Sequence, residues 1–172
     1  GSAIINGDGS GWNFPSYDLM ANAYETGDAR KDITVDVYGS GYWPKNYNKK
    51  YLSQVQTTYD AENDWPVLRY SDIILMLAEV INGQEGNVNA LYWINEVRRV
   101  HGNLPALTMV TTQEDCRSAI EKERRVEFAF ENQRFFDLVR TGRAVDVLNN
   151  QIFNLDNAFY SRYRVDKPDP AN

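Results

Sequence analysis

The sequence predicts a mostly α-helical protein of helical hairpins joined by long loops, with at most a small β element. Three observations carry that expectation. Apolar residues recur at helical spacing over 70–81 and again over 87–101. The pattern Thr111-Thr112-Gln113-Glu114 then fits a capping box, in which a hydroxyl and a carboxylate satisfy free amides at a helix start. Between 42 and 65 the chain is polar and aromatic without a sustained period, which reads as a long loop.

In chain order, Gly7 to Gly11 is a flexible lead-in, and Leu19, Met20, Ala23 and Tyr24 follow Pro15-Ser16 at helical spacing, predicting a short helix over 16–25. Gly27-Asp28 breaks it. Ile33, Val35 and Val37 then alternate with Thr34, Asp36 and Tyr38, as in a half-buried strand that Gly39-Ser40-Gly41 ends. A second short strand is expected near Tyr51. After Pro66, the residues Tyr70, Ile73, Ile74, Leu77, Ala78 and Ile81 mark one helix face, which Asn82-Gly83 should stop. Val88, Leu91, Ile94 and Val97 form the stripe of the next helix, with Gly102 just past its end. The two make a helical hairpin of the length of one tetratricopeptide-like unit, and a single such unit cannot bury its own faces. A long helix follows the capping box and should end or bend at Asn132, before another turn over 134–140. The Asn-rich stretch from Asn149 reads as irregular. The expected organisation is a loop-rich, aromatic segment over 3–66, a helical core over 67–148 and an irregular tail over 149–172.

Composition narrows the function. With 172 residues and 42% hydrophobic content the chain can bury one core, and a net charge of −6 repels polyanions, so nucleic acid is not an expected partner. No apolar run approaches the roughly 20 residues of a membrane-spanning helix. The single cysteine, Cys116, lies on an amphipathic segment and is expected to be a structural thiol.

The most charged stretch carries Glu123, Arg124, Glu127, Glu131, Arg134, Asp137 and Arg140, with opposite charges often three or four positions apart, a spacing that favours structural ion pairs. No metal site is expected, because a carboxylate-bridged site wants Glu-x-x-His pairs and the one histidine, His101, has no glutamate three residues before it. No cofactor is expected either: the Gly-rich lead-in lacks the Lys-Ser or Lys-Thr of a phosphate-binding loop. His101, at a helix end, is expected to meet carbonyls there. A glycosidase would need a raised acid facing an ionised partner across a cleft, and no such pair can be named. The ligand-binding candidates are aromatic. Trp12, Tyr42, Trp43, Tyr47 and Trp65 sit among Gly, Asn, Lys and Asp, where flat rings can meet a sugar face and polar neighbours its hydroxyls.

Several segments resemble a known family. The run from Leu68 through Arg69, Tyr70, Ser71, Asp72, Met76 and Ala78 to Glu79 resembles the R-Y-A-D-x-x-L-M-x-A-E helix of the SusD/RagB outer-membrane nutrient-binding lipoproteins. Ile94-Asn95-Glu96-Val97-Arg98 is similar to its I-N-x-V-R step. Glu123, Arg124, Arg125, Glu127 and Glu131, followed by Arg134, Asp137, Leu138 and Arg140, resemble its C-terminal signature. Asn13, Pro15, Asp18 and Leu19 with Asp28-Ala29-Arg30 are similar to its upstream elements. The resemblance implies a SusD-like, tetratricopeptide-like scaffold, with N-terminal helical repeats and a lipid anchor outside these residues. It implies a non-catalytic surface protein that binds glycans or peptides and delivers them to a SusC-like TonB-dependent transporter at the outer membrane. The competing expectation is a helical-repeat interaction module with no small ligand. Under the resemblance the signature charges belong to the scaffold.

Overall fold

The computed structural model describes residues 15–16, 18–38, 45–51 and 63–153. The described elements are α1 (Leu19–Ala23), α2 (Ala29–Thr34), β1 (Val35–Tyr38), β2 (Lys45–Asn48), α3 (Tyr70–Gln84), α4 (Asn87–Val97) with a π-wound end (Arg98–Gly102), α5 (Gln113–Glu127), α6 (Gln133–Arg140) and α7 (Ala144–Phe153). The fold is mostly helical, with one two-stranded sheet among the described residues. No described helix is long and apolar enough to cross a membrane. The chain divides into two compact units, one ending at Gln133 and one beginning at Arg134.

In the first unit, α1 is a single π-wound turn that starts where Ser16 accepts from the backbone N–H of Leu19 (3.2 Å, side chain) and of Met20 (3.1 Å, carbonyl). Its Ala23, with Tyr24, packs on Val35 and Val126. The expected strand begins two residues late. Asp28 caps α2 by accepting from the Arg30 N–H at 3.0 Å, and the helix it starts runs through Ile33 and Thr34. Ile33 is therefore an exposed helix residue, and its place in the apolar alternation is accidental. β1 pairs antiparallel with β2 from Val35↔Asn48 to Tyr38↔Lys45, so the second strand lies at 45–48 rather than near Tyr51, which sits in the turn that follows.

Asn82-Gly83 does not stop α3. The Asn82 amide donates to the Gln113 carbonyl at 3.0 Å, and the Gln113 amide donates back to the Asn82 carbonyl at 2.6 Å, so this residue latches α3 to the start of α5. The chain reverses at Gly86, whose φ of 89° suits only glycine without strain. α3 is apolar on both sides: Leu75 and Ala78 are buried, whereas Tyr70, Ile73 and Val80 are exposed. On α4, Ile94 and Val97 are buried and Val88 is exposed. Ala78, Ala90 and Ile94 meet Cys116 and Ile120 of α5 in the main core, and small side chains at 78 and 90 let the three helices approach.

The capping box of α5 is one residue further on than the Thr111 pattern suggested. Thr112 Oγ1 accepts from the Asp115 N–H and an Asp115 oxygen accepts from the Thr112 N–H, each at 3.0 Å. The helix ends at Glu127, before Asn132. Phe130 (φ 67°) and Asn132 (φ 61°) then adopt left-handed backbone conformations that fold the chain back. Arg124, buried on α5, donates to the Asp72 carboxylate of α3 at 2.6 Å and lies 5.0 Å from the Phe128 ring centroid. Halving a buried pair leaves a charge without its partner, so Arg124→Ala is expected to cost about 3 kcal/mol in urea unfolding while sparing the aromatic surface described below. An unchanged unfolding midpoint would contradict this.

In the second unit, Asp137 accepts from Arg140 Nε at 2.9 Å, and its carbonyl accepts from the Thr141 hydroxyl at 2.7 Å, closing the end of α6 before Gly142 at φ 70°. α7 continues to Phe153, past the Asn149 where irregular chain was expected, because Val145, Leu148 and Ile152 sustain a helical period through the Asn pair.

Candidate functional site

Glu123 and Glu127 stand one turn apart on α5, and the left-handed turn after the helix brings Glu131 back toward them. All three are buried, which demands partners. Arg30 supplies the first set. Its Nη1 donates to Glu123 at 2.5 Å and to Glu127 at 3.2 Å, while Nε and Nη2 hold Asp28 at 2.9 and 2.8 Å. Arg98 bridges Glu123 (3.3 Å) and Glu25 (2.8 and 2.9 Å). Arg69 donates from Nη1 to Glu127 at 2.9 Å and grips Glu131 with Nε and Nη2, both at 2.9 Å, in a two-point fork. Lys50 places its three N–H groups on the Glu131 carboxylate, the Glu127 carbonyl (2.9 Å) and the Ala129 carbonyl (3.3 Å). His101 turns away from the helix-end carbonyls expected for it and meets Glu127 through Nδ1 at 2.7 Å.

These partners set the protonation states. Burial by itself would raise Glu127, but the charge of His101 and the hydrogen bond from Arg69 outweigh it and hold the carboxyl at about 2. The Arg98 hydrogen bonds hold Glu25 at about 2 against its partial burial. At Glu123 burial prevails over the pull of Arg30 and Arg98 and pushes the carboxyl up. Among the described residues no group of three or more His, Cys, Asp or Glu could hold a metal ion.

Beside this network lies an aromatic pair. Tyr51, next to Lys50, stacks on Trp65 with ring centroids 5.4 Å apart and planes at 23°. Trp65 is 50% exposed, so a large part of its surface stays open to solvent beside the stacked Tyr51. Asn63 donates to the Tyr51 carbonyl at 2.7 Å and ties the two segments together. Burial, with the nearby Glu131 charge adding to it, raises the Tyr51 phenol.

Of the aromatic candidates, Trp65 forms this platform, and Tyr47 is buried on β2 with its hydroxyl donating to Asp36 at 3.2 Å. Trp12, Tyr42 and Trp43 lie outside the described residues. Tyr51 was not among the candidates, although an aromatic beside Lys49-Lys50 in an aperiodic stretch carries the same signal that marked Trp43. Arg30, Lys50, Arg69 and Arg98 were not singled out as network members either. Three of them sit inside the short motifs quoted above, and the structure shows those separate motifs converging on the carboxylates of one helix. Arg134, Asp137 and Arg140 belong to the second unit.

Comparison with known proteins gives a consistent result. The family model described as the SusD family matches residues 3–168. The SusD-like protein P38 of Formosa agariphila is 30% identical over 89 residues, covering 48% of this chain and 18% of that protein. The SusD-like protein P25 of the same organism is 37% identical over 90 residues, covering 49% of this chain and 16% of that protein. The matched stretch is thus less than a fifth of each curated relative. Among solved structures, a SusD superfamily protein from Bacteroides vulgatus superposes with a TM-score of 0.68 at 23% identity, covering 98% of this chain and 41% of that one. The surface glycan-binding protein A of Bacteroides thetaiotaomicron, solved with laminarihexaose, gives a TM-score of 0.60 at 23% identity over 85% of this chain and 34% of its own. At such identity these two likenesses concern the fold.

Proposed function

Since the chain belongs to the SusD family, we propose that it is part of a non-catalytic cell-surface protein that binds glycans and passes them to a SusC-like TonB-dependent outer-membrane transporter. The observation that carries the binding role is the Tyr51–Trp65 stack, in which the tryptophan is half exposed and offers apolar surface to solvent. A pyranose ring offers a patch of C–H groups that packs on such a face. The fold shared with a glycan-binding surface protein supports the same reading.

The electrostatics favour uncharged sugars. Lys50 and Arg69, the cations beside the platform, are engaged by Glu127 and Glu131, and the net charge of −6 disfavours a polyanion. The carboxylates support a binding role over hydrolysis, because Glu123, Glu127 and Glu131 are buried and each faces cations rather than a cleft. Trp12, Tyr42 and Trp43 are further proposed ligand contacts. Tyr47, buried on its hairpin, serves by packing.

Calorimetric titration of the protein with laminarihexaose and maltohexaose tests the proposal. One ring–sugar contact is worth about 1 kcal/mol, so Trp65→Ala should weaken binding roughly fivefold with little change in melting temperature. Trp43→Ala is expected to act in the same direction. Absence of binding by either hexasaccharide, or full affinity in Trp65→Ala, would overturn the assignment, and sustained release of reducing ends would overturn the non-catalytic reading.

A further inference from the structure

We propose that Glu131 is a positioning residue for the aromatic platform: by clamping Lys50 and Arg69 on one buried carboxylate, it fixes the stacking of Tyr51 on Trp65. The inference rests on the platform reading above for its consequence in binding, but its geometry stands independently.

The two rings come from segments separated in sequence, and neither is on a helix or strand. Something must hold both. Lys50 immediately precedes Tyr51, and Arg69 follows Trp65 by four residues across Pro66. Both cations end on the same carboxylate: Lys50 Nζ and Arg69 Nη2 share Glu131 Oε1, and Arg69 Nε takes Oε2 at 2.9 Å. The Glu131 side chain is only 3% exposed, so this anchor is shielded from water and salt. The anchor itself is held. The Glu131 N–H donates to the Phe128 carbonyl at 3.0 Å, the left-handed residues Phe130 and Asn132 flank it, and the Arg69 guanidinium rests 5.0 Å from the Phe128 ring centroid. The Asn63 bond to the Tyr51 carbonyl then links the segments at the platform end. A side chain that touches no ligand thus sets the separation of two rings that do, in the way supporting hydrogen bonds set a binding site's geometry.

Two variants separate positioning from plain stability. Glu131→Gln keeps the shape and removes the charge. Lys50→Met releases only the Tyr51 side and leaves Arg69 on Glu127 and Glu131. Arg124→Ala serves as a comparison: it breaks the buried pair with Asp72 and shares only the Phe128 ring with the clamp, touching neither Lys50 nor Glu131 in any described ion pair. The readout is the near-ultraviolet circular dichroism of the ring pair, taken as the difference between each protein and the same protein carrying Trp65→Phe. We expect Lys50→Met and Glu131→Gln to reduce that difference by roughly half or more, and Arg124→Ala to leave it intact. Laminarihexaose affinity should fall roughly threefold or more in Lys50→Met, with no further fall when Lys50→Met is added to Trp65→Ala. An unchanged dichroism difference in Lys50→Met, an equal loss in Arg124→Ala, or additive affinity losses would overturn the proposal. Should Trp65→Ala bind as tightly as the unaltered protein, the ligand reading fails and the dichroism alone decides the clamp; should Glu131→Gln not fold, Lys50→Met decides it.

Discussion

Replacing Arg30 by Met should be the most destabilising single change in the buried network, costing about 5 kcal/mol, at the upper end for a broken buried ion pair. The volume is roughly preserved, so the loss is electrostatic. Arg30 is the contact between Asp28, Glu123 and Glu127, all buried, and its removal leaves Asp28 with no other ion-pair partner among those described. The site has no room for a longer detour. A Cβ on Gly102 would lie 2.9 Å from Arg30 Nη2, which shows how closely the π-wound end of α4 is pressed on the guanidinium. Urea unfolding of Arg30→Met is the measurement, and a loss no larger than that of Arg124→Ala would show that Arg98, Arg69 and His101 take over the orphaned carboxylates.

Acid should unfold the protein over a defined window. Glu127 and Glu25 are held at about 2 in the folded state, below the ordinary carboxyl value of 4.5. A depressed carboxyl contributes stability that is fully present above its unfolded value and is lost as the pH falls through the folded one. The window therefore runs from about 4.5 down to about 2. At Glu127 the depression corresponds to about 3 kcal/mol as an upper bound, and Glu25, partly exposed, adds less. Glu123 acts with the opposite sign. Its carboxyl is pushed up, so it takes up its proton more readily in the folded state and offsets part of the loss. Glu25 and Glu127, with the exposed Glu96 and Asp115 also depressed by their hydrogen bonds, outweigh the one raised carboxyl and leave a net fall: the urea midpoint should drop steeply below pH 4. A midpoint that held steady to pH 3 would mean that the buried carboxylates titrate alike in both states. In Glu127→Gln the drop should be shallower.

The helices were legible wherever one residue's neighbours in sequence are also its neighbours in space. The 3.6-residue period located α3 and α4, and a capping pattern located the start of α5 to within a residue. The errors had both distant and local causes. Asn82 looks like a helix stop and is instead held in α3 by Gln113, thirty-one positions away. Ile33 fits a strand alternation but follows a carboxylate cap at Asp28. Tyr70 and Ile73 share the apolar period of α3 and still face outward, because periodicity says which residues align and not which side meets the core.

For the candidate site the division is sharper. The sequence by itself determined that the chain is mostly helical, that its charges concentrate in one stretch at ion-pair spacing, and that its aromatics gather in aperiodic polar chain. These are properties of composition and local order. Only the tertiary structure decided that Arg30, Lys50, Arg69, Arg98 and His101 converge on Glu123, Glu127 and Glu131, and that Tyr51 rather than Tyr47 stacks on Trp65. The reason is physical. A buried carboxylate must be neutralised or protonated, but Coulombic attraction carries no address in sequence, so any of the 18 lysines and arginines could satisfy the need. Which ones do is settled by where packing sets the helix ends, and by a left-handed turn at Phe130 and Asn132 that no local propensity announces.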